Sequence, residues 1–157
     1  GGDDSPQHNN EAEDIEMMDQ QSLEALARDI AGGMVRGSRL YLTGELGSGK
    51  SVFARAVLGE LGVKGSIPSP SFIVDAVYFS KGLEIHHMDL YRLQGTEEEL
   101  EFYGIDQVLD SDAVAVVEWA ERLSAEFLQD GIRITISFTE DPLMREVTVD
   151  GLAVAGN

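Results

Sequence analysis

The stretch GELGSGKS at residues 44–51, directly after the apolar run LYL at 40–42, decides how this chain is read. Its three glycines and one lysine stand where a buried strand would hand over to a helix. The string fits G-x-x-x-x-G-K-[ST] through Gly44, Gly49, Lys50 and Ser51. Glycines let backbone N–H groups turn inward and approach an anion without side-chain collision. The helix that follows offers its unpaired N–H groups and positive dipole end to the same anion. In such a loop the lysine reaches β- and γ-phosphates and the next hydroxyl meets Mg²⁺. A chance match arises in on the order of half a per cent of chains this long. The expectation is therefore a phosphate-binding loop over 45–52, contributed by Glu45, Leu46, Gly47, Ser48, Gly49, Lys50, Ser51 and Val52.

A loop of this kind needs a second anchor for the cation and a group that positions water. Two acids qualify. Glu118 follows the apolar run AVAVV, so it should emerge at the carboxyl edge of a central strand, where open α/β sheets bind ligands. Asp89 ends the run LEIHHM in the same way. Either acid could instead be a solvated strand end, but an acid directly after five buried residues needs a reason. Trp119, the single tryptophan, lies beside Glu118 and so near the expected nucleotide. His86 and His87 are adjacent, so on a strand they face opposite sides, and no third ligand with suitable spacing suggests zinc. Ser69 and Ser71 flank Pro70 in a stiff loop.

Outward from these motifs, the pattern predicts a mixed, mostly parallel central sheet flanked by helices in a single α/β domain. Residues 22–34 carry apolar positions at helical spacing, 39–43 form a buried strand, and 50–61 a helix stopped by Gly62. FIVDAVYF at 72–79 and LEIHHMDL at 83–90 read as a hairpin turning near Ser80–Gly82. Thr96 and Glu99 form a capping box for a helix ended by Gly104. AVAVVEW at 113–119 reads as a central strand, 120–129 as a helix, and IRITISF and REVTVDG as closing strands. Residues 1–18 are polar, acidic and unpatterned and are expected to be a disordered tail, leaving 19–153 as the domain.

The 157 residues suit one core, and 43% are apolar, a globular composition. There is no cysteine, which excludes disulfides, thiolate metal sites and a cysteine nucleophile. No stretch approaches a bilayer-spanning length and no signal-peptide layout is present, so a soluble cytoplasmic protein with no membrane contact is expected. The net charge is −18; seven acids and no Lys or Arg fall in residues 1–20, and the remainder is acidic as well. Such a surface repels phosphate backbones, so tight binding of nucleic acid by this chain alone is not expected.

Taken in order, GELGSGKS, SPSF at 69–72, HMDLYRL at 87–93, EEL with YGID at 98–106, and VVEWAE at 116–121 resemble the TsaE (YjeE) family of small P-loop ATPases over about residues 20–150. The resemblance implies ATP and Mg²⁺ as cofactors, with Ser51 and Glu118 on the metal and Asp89 as the catalytic carboxylate. It places Ser71 at the threonine of the family's SPTF switch loop, puts Trp119 by the nucleotide, and leaves the roles of Tyr91 and Arg92 open. It also implies work with a TsaB–TsaD pair on the threonylcarbamoyl-adenosine modification at position 37 of tRNA. The chain departs from the family in having Ser for Thr at 51 and 71, each keeping its hydroxyl, and Ala120 where proline is usual after Glu–Trp. Two other readings compete. A small-molecule kinase would want a basic lid, often rich in arginine, yet only two arginines, Arg55 and Arg92, lie between Lys50 and Glu118. A nucleotide-dependent interaction module without turnover differs from the first reading mainly in rate.

Overall fold

The computed structural model describes residues 13–65 and 73–151. Among them, seven strands form one sheet and helices cover both faces. The elements are β1 (Glu13–Met18), α1 (Gln20–Gly32), β2 (Arg39–Gly44), α2 (Lys50–Glu60), β3 (Asp75–Ser80), β4 (Leu83–Asp89), α3 (Glu97–Phe102), α4 (Ile105–Leu109), β5 (Val114–Glu118), α5 (Ala125–Leu128), β6 (Ile132–Phe138) and β7 (Arg145–Asp150). The strand order is β1-β7-β6-β2-β5-β4-β3. The central ladders β6–β2, β2–β5 and β5–β4 are parallel, and the outer ones are antiparallel. This is the mixed sheet with a parallel centre that the buried runs predict.

Side-chain alternation splits the core into two layers. Leu40, Leu42, Val114, Val116, Ile134 and Ile136 pack under α1 and α2, which contribute Leu23, Ala27, Phe53 and Val57. Tyr41, Met88, Ala115 and Val117 face the other way, against Leu100, Ile105, Leu109 and Leu123. β5 is buried along its whole length because strands flank it on both sides and helices cover both faces. Each buried valine there contributes roughly 1.5–3 kcal/mol relative to exposure.

Local chemistry sets the boundaries. Asp19 caps α1 by accepting from the Ser22 N–H at 2.8 Å, three residues before the range read from periodicity. The capping box at Thr96 and Glu99 is present. The β3–β4 hairpin turns through Lys81 (φ 54°) and Gly82 (φ 80°), the positive-φ pair of a two-residue turn.

Two expectations need correction. Residues 13–18 are a strand, paired antiparallel with β7 from Glu13↔Asp150 to Met18↔Arg145, so the expected tail over 1–18 does not extend through them. Residues 1–12 lie outside the described residues. Backbone pairing to an existing edge holds β1, while its Ile15 and Met17 remain more than half exposed, so no buried face marks it in sequence. The single helix expected over 120–129 is a 3-10 turn at Ala120–Arg122 followed by the short α5. Gly104 does not only end α3; it adopts the left-handed conformation from which α4 starts. Among the described residues no helix is long and apolar enough to cross a membrane.

Candidate functional site

The parallel centre gathers the carboxyl ends of β2, β4 and β5 along one edge, and the site lies there. β2 ends at Gly44 and α2 begins at Lys50. Between them the chain passes through Gly44 (φ 147°), Gly47 (φ 82°) and Gly49 (φ 123°), values that disfavour any side chain. At Gly44 a Cβ would also overlap the Ile136 carbonyl oxygen.

Lys50 is 4% exposed. Its Nζ donates to the carbonyls of Gly44 and of Glu45, the latter at 2.9 Å, and lies 4.3 Å from the Trp119 ring centroid. Burial lowers its pKa; the carboxylates of Glu121, Glu118, Asp89 and Glu45 oppose that without cancelling it.

Glu118 closes β5 in register with Leu42 on one side and Asp89 on the other. It is 2% exposed, and both its oxygens are engaged. Oε1 accepts from the Ser51 hydroxyl at 2.9 Å, and Oε2 lies 2.7 Å from His87 Nε2. A buried carboxylate is tolerable when hydrogen-bonded in this way. The oxygen donors of Ser51 and Glu118, side by side at a helix start, suit a hard cation such as Mg²⁺. No group of three or more His, Asp or Glu among the described residues could hold a metal alone.

Asp89 Oδ1 accepts from the Tyr91 N–H at 2.9 Å. Burial raises its pKa, the Tyr91 N–H partly offsets this, and Glu118 beside it adds to the rise. Trp119 has left-handed backbone (φ 59°, ψ 42°), rare for a bulky residue and typical of sites that store strain. Its ring lies 5.0 Å from that of Tyr91 and 5.2 Å from the Arg122 guanidinium.

These groups share a cavity of about 890 Å³. Of the residues singled out in sequence, Leu46, Gly47, Gly49, Lys50, Ser51, Val52, Asp89, Glu118 and Trp119 all line it. Glu45 and Ser48 do not: Glu45 supplies its carbonyl to Lys50, and Ser48 is 1% exposed with its carbonyl turned to Arg145. Ser71 lies outside the described residues. Phe102, 80% exposed, and Ile73, 50% exposed, also line the cavity.

Two residues at the site escape sequence reading, His87 and Arg145. His87 bonds across to Glu118, 31 positions away, and Arg145 reaches the loop from β7, 97 positions away. The alternation of the adjacent histidines was the one available hint: His86 does face away, held by Asp75 and Glu84 at 2.8 and 2.6 Å.

Residues 17–147 match the family described as "Threonylcarbamoyl adenosine biosynthesis protein TsaE". The chain belongs to the TsaE family. That family serves tRNA threonylcarbamoyladenosine biosynthesis. The chain is 39% identical over 133 residues to the TsaE of Streptomyces coelicolor, covering 81% of this chain and 88% of that one. It is 32% identical over 124 residues to the TsaE of Bacillus subtilis, covering 79% and 76% respectively. The crystal structure of Bacillus subtilis YdiB superposes with a TM-score of 0.68 at 26% identity, covering 92% of this chain and 89% of that one. The TsaE match runs from within β1 to within β7, so the glycine loop, Asp89, Glu118 and Arg145 all fall inside it.

Proposed function

We propose that this chain is a Mg²⁺-dependent protein that binds and hydrolyses ATP and acts with a TsaB–TsaD pair in modifying position 37 of tRNA. The observation that carries the reading is the 2.9 Å bond from Ser51, at the start of α2, to Glu118, at the end of β5. It joins the phosphate loop to a second carboxylate at one point. Ser51 and Glu118 would hold the cation, which when bound neutralises phosphate charge. The loop amides and the start of α2 bind phosphate oxygens, and Lys50 adds a positive charge to them. Asp89 orients the attacking water and accepts its proton, a task helped by a raised pKa. Ser71 belongs to the loop expected to respond to the γ-phosphate, and Trp119 sets the wall beside Lys50. The acidic surface leaves the holding of tRNA to the partners.

Nucleotide binding and single-turnover hydrolysis test these roles separately. Lys50→Ala should abolish ATP binding. Asp89→Ala should keep binding and lose about 10²-fold or more in hydrolysis, the usual loss for a general base. Normal hydrolysis by Asp89→Ala would remove its role. Glu118→Ala should shift the magnesium titration; an unchanged curve would remove Glu118 as a ligand. ATPase with and without TsaB–TsaD tests the partnership, and no association in any nucleotide state would remove it.

A further inference from the structure

Arg145 opens β7, and its Nε donates to the Ser48 carbonyl oxygen at 2.9 Å. Its Nη1 donates to the Pro142 carbonyl at 2.9 Å and the Met144 carbonyl at 3.0 Å. The Phe138 ring lies beneath it, 4.8 Å from Cζ. A planar guanidinium fixed at three backbone oxygens and stacked on a ring is a rigid donor, not a roaming surface cation.

The oxygen it holds matters because of what shares its peptide unit. The Ser48 carbonyl and the Gly49 N–H belong to one plane, and no peptide bond among the described residues is cis. In a trans unit C=O and N–H point to opposite sides. With the oxygen drawn toward Arg145, the Gly49 N–H is directed away from it. Gly49 lines the cavity, whereas neither Ser48 nor Arg145 does. Gly49 has φ 123° and no side chain, so little else in its own chemistry resists rotation of this unit. β6 supports the same loop: Ile136 abuts Gly44, and Phe138 Cζ lies 3.8 Å from where a Cβ on Gly47 would be.

We infer that Arg145 is a positioning residue for phosphate binding: it pins the Ser48–Gly49 peptide so that the Gly49 N–H is presented to a phosphate oxygen of the nucleotide. This rests on the phosphate-loop reading above. Its ligand class is the polyphosphate chain itself, independent of the base.

The test compares wild type, Lys50→Ala, Arg145→Ala and Arg145→Lys for binding of tripolyphosphate and of ATP by calorimetry. The Gly49 amide is followed in ¹H–¹⁵N spectra during the same titrations. Arg145→Ala should weaken both ligands by a similar factor, about tenfold or more for one lost charged-acceptor bond. The downfield movement of the Gly49 amide on adding tripolyphosphate should vanish. Arg145→Lys, which keeps the charge and one donor, should recover part of both signals. Unchanged affinity in both Arg145 variants would overturn the inference. So would weakened binding with the Gly49 shift intact, because the arginine would then act only through its charge. Should Arg145→Ala fail to fold, Arg145→Lys decides: wild-type affinity and wild-type shift overturn the inference, and a loss in both supports it. A wild-type chain that binds neither ligand would overturn the phosphate-loop reading itself. Wild-type binding lost in Lys50→Ala but kept in both Arg145 variants would overturn this inference alone.

Discussion

A carboxylate at 2% exposure needs a donor for each oxygen, and at Glu118 the two come from different layers of the fold. Ser51 supplies one from a helix start, and His87 supplies the other from the neighbouring strand at 2.7 Å. The Nε2–H tautomer of His87 meets this bond; a hydrogen placed on Nδ1 would be buried with no acceptor. His87→Ala removes the donor and opens a cavity under α2, which should cost roughly 2–4 kcal/mol. His87→Gln can place an amide donor near the Nε2 position and should recover part of that loss. Urea denaturation of the three proteins measures it. Equal stability of His87→Ala and wild type would mean that solvent, not His87, satisfies the second oxygen.

At the scale of elements, the β3–β4 hairpin carries its own titratable lock. His86 sits between Asp75 and Glu84, and its hydrogen bond to Asp75 raises its pKa; burial opposes this and Glu84 reinforces it. Because the folded value lies above the ordinary one near 6.5, the contribution is complete below that value. It is lost as pH rises through the folded value. His86→Phe should therefore lack a component of pH dependence that wild type shows as pH rises above the ordinary histidine value. Unfolding curves from pH 6 upward in both proteins measure it, and parallel profiles would refute the lock. This hairpin, β5 and the glycine loop were legible in sequence because each carries a local signal: a Lys-Gly turn, an uninterrupted apolar run, a spaced motif. The strand-end places of Glu118, directly after AVAVV, and of Asp89, after LEIHHM, were legible too. β1 was not, since its hydrogen-bond partner is the far end of the chain and its Ile15 and Met17 stay more than half exposed. The break between Arg122 and Ala125 was missed because periodicity continues across it. Arg145 and His87 were missed for the same reason as β1: their partners are distant in sequence, and neither residue type announces a bond to a carbonyl or a carboxylate.

For the whole molecule, the dominant quantity is a net charge of −18 on 157 residues. The buried polar bonds of the site are short and shielded, so salt should affect them little. The exposed acids repel one another throughout the folded surface, and compaction brings them closer than in the unfolded chain. Isolated surface pairs such as Arg36–Asp112, at 3.8 Å with both side chains mostly exposed, offset little of this. Raising sodium chloride from about 0.01 M to about 0.15 M shortens the screening length from about 30 Å to about 8 Å. That should relieve the repulsion and raise the melting temperature, by roughly 2–4 °C for each kcal/mol gained in a chain of this size. The opposite trend belongs to a fold held by surface ion pairs, so melting curves across that range distinguish the two. The same charge governs nucleic acid: affinity for tRNA in the absence of partners should be negligible even at the lowest salt, where cation-driven binding is strongest. A filter-binding curve that shows tight tRNA association falling steeply with salt would reveal a basic face that the sequence and fold do not provide.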